Sequence, residues 1–220
     1  NQRAAILALG NINARIENNE INGIGPTPNV AQRGIELANG AKAYILKNRI
    51  FDHNHSPLNN DPAYGILLAG ASSSSRVELN SIKYNDIGIR VNGGKSIAVV
   101  TNTVWSSTLD GIRVDDEIGI PTTSVSVLTN DASKSEQNGI HYVSYHGLLT
   151  KNLVKSNLTT RNRQMGILME GTADKIQRNT SSLNFVLDIA DAGTGNLYSL
   201  NVCATSSGPP VDCPVVATAP

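Results

Sequence analysis

The sequence predicts an all-β chain wound into a single right-handed parallel β-helix, a solenoid of about seven to eight coils closed by a C-terminal tail. Three observations predict it. A Gly-Ile step followed by alternating residues recurs along the chain, beginning at Gly34, Gly65, Gly88, Gly111, Gly139 and Gly166. After each step comes an Asn placed two residues ahead of an apolar position, as in Asn48-Arg49-Ile50, Asn80-Ser81-Ile82 and Asn102-Thr103-Val104. Aromatic residues form only 4% of the chain, so the core must be built from Ile, Leu, Val and Ala in short segments.

Each repeat reads as three short strands. The first carries the Gly-Ile step, for example Gly88-Ile89-Arg90-Val91. The second precedes the Asn, for example Ile97-Ala98-Val99-Val100, and the third follows it. Strands this short, returning every ~25 residues without helices between them, bury their apolar face by stacking on their own copies. Asn suits the bend between strands, because it tolerates left-handed backbone and its amide can bond to the Asn of the next coil. No stretch of helix formers keeps a 3.6-residue period for more than two turns. The leucine-rich alternative would need a Leu-x-x-Leu-x-Leu pattern that is absent. Residues 1–203 form the expected helix and 204–220 the tail, where Cys203 and Cys213 are expected to pair as a disulfide.

These Asn-x-Ile and Gly-Ile-x-Leu elements resemble the right-handed parallel β-helix repeats of the pectin-lyase-like superfamily, over nearly all of residues 4–203. The resemblance implies a carbohydrate-related setting, since that superfamily holds polysaccharide lyases, glycoside hydrolases, alginate epimerases and tailspikes. It says little about chemistry. Full-length members usually start with a short capping helix, and none precedes Ala4-Ala5-Ile6-Leu7. The open first coil is therefore expected to be covered either by a missing N-terminal region or by another subunit in a homo-oligomer. The Asp-Pro-His motif of the epimerases is absent; the nearest string is Asp61-Pro62-Ala63-Tyr64.

Charge narrows the partners. Eighteen Lys and Arg balance eighteen Asp and Glu, which argues against nucleic acid. No apolar run reaches the ~18 residues of a membrane span. The chain opens Asn1-Gln2-Arg3 without a basic-then-apolar leader, as a mature form or an excised piece would. The expected disulfide favours a secreted, extracellular or periplasmic location.

Chemistry is expected on the outward residues that follow each Gly-Ile step. One ribbon reads Glu36, Leu67, Arg90, Arg113, His141 and Leu168, and its neighbour Ala38, Ala69, Asn92, Asp115, Val143 and Glu170. Arg113, Asp115 and His141 are the catalytic candidates. Arg90, Asn92, Tyr145 and Glu170 are candidate contacts to a polysaccharide, in which arginines fork onto uronate carboxylates and Asp or His serves as base. Lyases of similar fold often use an Arg as base, assisted by calcium-bound acids; here Asp115, Asp116 and Glu117 are read either as hard oxygen ligands able to hold calcium or as an exposed acidic turn, since they lack the spaced pattern of an EF-hand loop. Tyr142 is read either as part of the site or as inward core. His53 and His55, with Asp52 or Asp61, are read as a solvated loop or a transition-metal site, on a segment that would form a lid. The competing reading takes the whole ribbon as a solvated face, and the protein as a structural or adhesive module acting in assembly.

Overall fold

The structure is a computed structural model that describes residues 4–56, 62–71, 74–116 and 120–207. Every described element is a strand, and all pairings are parallel. The strands form three sheets running along one axis. The first starts at Ala4–Leu9 and ends at Ser206–Ser207; the second runs from Asn13–Glu17 to Leu197–Ser199, and the third from Glu20–Asn22 to Val202–Cys203. The second and third sheets have eight strands each, so the described residues make eight coils, and the stack continues past residue 203 to Ser207. Cys203 is buried in the last coil, whereas Cys213 and the rest of 208–220 lie outside the described residues. No described helix is long and apolar enough to cross a membrane.

Like stacks on like inside the coil. Ile35, Ile66, Ile89, Ile112, Ile140, Ile167 and Ile189 pair in register and are all fully buried. The parallel row Leu37, Leu68, Val91, Val114, Tyr142 and Met169 also points inward. Tyr142 is thus core. The recurring glycine follows from close approach: a Cβ at Gly111 would sit 2.7 Å from the carbonyl oxygen of Gly139, the equivalent glycine one coil on.

The corner between the second and third sheets is held by an unbroken row of eight asparagines, Asn19, Asn48, Asn80, Asn102, Asn130, Asn157, Asn179 and Asn201. Each Nδ2 donates to the next Oδ1 at 2.9–3.0 Å. The backbone N–H of Asn80 also donates to Asn102 Oδ1, and the Asn102 amide donates to the Val77 carbonyl. Buried amides are stable only when fully bonded, and here they are. The left-handed residue is not the Asn. It is the residue before it, at Lys47, Leu79, Thr101, Thr129, Ser156 and Arg178, with φ near +55°. The Asn is selected for its amide rather than for its tolerance of that backbone.

The other two corners carry mixed rows. His53 occupies a position in one of them, its Nδ1 3.0 Å from Asn85 Oδ1. Burial pushes its pKa down against that bond. It is a structural member of the stack rather than part of a solvated loop. Residues 57–61, the expected lid and Asp61 included, lie outside the described residues.

In the row leading into the second sheet, Asp174 stands between Asn152 and Asn196. Its Oδ1 accepts the Asn152 N–H and Nδ2, at 2.7 and 3.1 Å, and its own N–H donates to Asn196 Oδ1. An Asn here would turn an NH2 toward the next coil, but Asp174 offers a buried Oδ2 with no partner. Burial raises its pKa from 3.8 to about 6, with Asp191 adding to the effect and the Asn152 bonds opposing it. The folded state therefore holds a proton that the unfolded chain releases. The Asp174 contribution to stability is full below pH 3.8 and is lost as pH rises to about 6, a change on the order of 3 kcal/mol. Asp174→Asn is expected to raise the unfolding temperature above about pH 7 and to lose that advantage near about pH 4. Thermal unfolding across this range checks it, and equal melting shifts at both ends would refute it.

Candidate functional site

The outer face of the first sheet carries the expected ribbons in the expected register. Arg90 pairs with Leu67 and Arg113, and Arg113 pairs with His141. In the neighbouring ribbon Asn92 pairs with Ala69 and Asp115, and Asp115 with Val143. A third ribbon, made by the residue just before each Gly-Ile step, also faces outward. It comprises Arg33, Tyr64, Ile87, Asp110, Asn138 and Met165. The inward glycine forces it: when the glycine packs against the core, the preceding residue is turned out. This ribbon escaped the sequence reading, although Asp110-Gly111 and Asn138-Gly139 stood there as a signal.

The centre of the site lies on the coils of Asp110 and His141. Asp110 is fully buried. One of its oxygens accepts Asn138 Nδ2 at 2.8 Å, and the other lies 3.0 Å from His141 Nδ1. Burial raises the Asp110 pKa, but the bond from His141 and the nearby Arg113 outweigh it and hold the carboxyl below its usual value. For His141, burial favours the neutral ring, yet Asp110 and Glu170 prevail over it and over the repulsion of Arg113. Its pKa is raised above 6.5. His141 Nε2 is covered, with Glu170 Oε2 3.9 Å away. Glu170 is itself about one-third exposed and stands beside the imidazole.

Two arginines flank this pair. Arg90 Nη2 meets Asp115 Oδ2 at 2.8 Å, and its Nη1 donates to the Tyr64 hydroxyl at 2.6 Å over the Tyr64 ring. Arg113 Nε reaches Asp115 Oδ2 at 3.2 Å, and its Nη2 donates to the Tyr145 hydroxyl. Asn92 Nδ2 donates to Asp115 Oδ1 at 2.9 Å. Asp115 is thus buried beneath the site and fixes both guanidiniums. Tyr64 packs with Leu67 and Ile87 in a second, buried apolar cluster outside the solenoid core.

Asp116 organises the wall. Its carboxylate accepts the N–H groups of Tyr145 and Leu148, each at 2.7 Å, and of His146, and so pins the loop that carries Tyr145 over Arg113. Burial of this carboxyl is outweighed by those bonds, which keep its pKa low. The oxygens of Asp115 and Asp116 are therefore occupied by different donors and fit a calcium ion poorly. Glu117 lies outside the described residues. No group of three or more His, Cys, Asp or Glu side chains placed to hold a metal occurs among the described residues.

Residues 1–185 match the right-handed β-helix region family. The chain belongs to that family. Among solved structures, this β-helix aligns with a double mutant of the periplasmic alginate epimerase AlgG over 90% of its length, at TM-score 0.65 and 12% identity. The unsubstituted epimerase aligns over 84%, at 0.60 and 17%. The Dettilon tailspike protein aligns over 89%, at 0.53 and 12%. The β-helix spans 48–55% of those chains, and at these identities the similarity is one of fold. No curated protein matches the sequence.

The Asp110–His141 contact gives a direct expectation. Asp110→Asn removes the larger of the two attractions that oppose burial, so the His141 pKa should fall. An NMR titration of the imidazole checks this; an unchanged midpoint would show that Asp110 does not govern the ring.

Proposed function

We propose that the outer face of the first sheet binds an acidic polysaccharide and promotes proton transfer at the carbon beside a uronate carboxylate, cleaving the chain by elimination. The observation that carries the reading is the buried Asp110–His141 pair set beside Arg113 on one exposed sheet. Arg113 is placed to neutralise the carboxylate, which acidifies the neighbouring C–H. His141, oriented through Nδ1 by Asp110, takes the proton on Nε2. The released electron pair forms the carbon–carbon double bond and expels the glycosidic oxygen, which takes a proton from the Tyr145 hydroxyl. Arg90 and Asn92 extend the polar face to the next coil, and Glu170 stands beside the imidazole. Hydrolysis is less well served, because both buried carboxylates here are already bonded to neighbouring side chains and hydrolysis needs a pair of available ones.

We infer an extracellular or periplasmic location, where a Cys203–Cys213 disulfide would persist. A second reading has its own support. Asp115 already pairs with both Arg90 and Arg113, as a self-contained brace in a structural or adhesive stack would.

Incubation with acidic and neutral polysaccharides, followed at the unsaturated-uronate absorbance and by a reducing-end assay, separates the readings. Both signals should rise with an acidic substrate and fall by at least ~100-fold in His141→Gln and Arg113→Ala. The pH–rate inflection should lie above 6.5 and move down in Asp110→Asn. Reducing ends without absorbance would replace elimination by hydrolysis. Silence across the panel would favour the structural stack.

A further inference from the structure

The third sheet carries a cluster that the first-sheet site does not use. Trp105, the single tryptophan of the chain, lies half-buried on the outer face of Thr103–Trp105. Its Nε1–H donates to Asp131 Oδ2 at 2.8 Å, which fixes the ring. Lys83, its register neighbour in the preceding coil, places its ammonium 5.1 Å from the ring centroid. Lys134, at the left-handed turn of the following coil, places another at 4.8 Å. Neither lysine has a carboxylate within 4.0 Å among the described residues. Two ammoniums thus flank one indole ring, one from the coil before and one from the coil after, with the Asp131 carboxylate held at the ring's N–H edge.

The adjoining corner is hollow. A pocket of about 340 Å³ opens there, lined by Asn54, His55, Tyr84, Asp86, Ser106 and Thr108 among others. Tyr84 follows Lys83 in the chain and Ser106 follows Trp105, so pocket and indole face are contiguous. Asp86 is buried and holds its rim: its oxygens accept the His55 and Ala63 N–H groups at 2.7 and 2.9 Å and the Thr108 hydroxyl at 2.7 Å. Exposed Tyr84 supplies a second aromatic surface at the mouth. The volume lies at the lower end of the range for small-molecule sites.

We propose that this corner of the third sheet is a second saccharide-binding site, one that takes a sugar ring bearing an anionic group. The anion is held by the Lys83 and Lys134 ammoniums that flank the indole, and the adjoining sugar enters the pocket with its apolar C–H face against Tyr84. Charge-assisted bonds to two ammoniums supply the selectivity for an acidic ring, and the Tyr84 ring supplies sequence-tolerant contact. The site shares no residue with the first-sheet face and does not depend on elimination occurring there.

The lone indole reports on it directly. Selectively excited tryptophan fluorescence of the whole protein is titrated with three probes: an oligouronate, a sulfated oligosaccharide and a neutral oligosaccharide. A saturable change with the acidic probes that weakens with salt is expected. Affinity should fall about tenfold in Lys83→Gln and again in Lys134→Gln, while Arg113→Ala leaves the titration unchanged. The oligouronate and sulfated arms tell which anionic group is preferred, either preference being in keeping with the site. No change with any probe, an equal change with the neutral one, or a change that survives the double lysine substitution would overturn the proposal. Loss of the signal in Arg113→Ala would also overturn it, by assigning the binding to the first sheet.

Discussion

Everything in this molecule hangs on the hydrogen bonding of its corners. A strand of three residues cannot stand alone, and a coil of three such strands has no closed core of its own. What fixes one coil on the next is the row of eight asparagines, in which each amide is satisfied by its successor and by a carbonyl of the coil before. Because the row closes every bond, each coil is held in register with the next, and the outward residues fall into ribbons. The proposed chemistry of the first sheet is a by-product of that regularity: residues 28 apart in sequence, such as Arg113 and His141, become direct neighbours.

The same rows show where the pattern is spent on something else. Asp174 interrupts one with a carboxyl that lacks an NH2 group, and His53 occupies another with an imidazole. Asp110 and Asp115 are buried just beneath the outer face, where they hold His141 and the two arginines rather than meeting solvent. A face that looks like a line of independent polar residues is in fact a two-layer arrangement, with acids below and cations above.

Much of this could be read from the sequence, and the limits are physical. The Gly-Ile and Asn-x-Ile elements specify the fold because each glycine meets a carbonyl and each Asn meets an Asn in the neighbouring coil. Alternation after Gly-Ile placed Arg90, Arg113 and His141 correctly. It said nothing of the residue before the glycine, where the chain turns a corner and alternation fails, so Asp110 and Tyr64 were passed over. Asp116 was legible as an acid but not as an anchor, since its partners are backbone groups some 30 residues away. The Lys83–Trp105–Lys134 cluster was invisible for a similar reason. It joins three coils, and no local pattern links them.

The direction of the bonding has a mechanical meaning. The strand ladders and asparagine rows all run along the axis, so a force applied along that axis is borne by every bond between two coils at once. A force applied at one end of the chain instead meets them singly, and the structure peels. The same rod is thus stiff when a load is shared across a whole coil and weak when the chain is drawn out strand by strand.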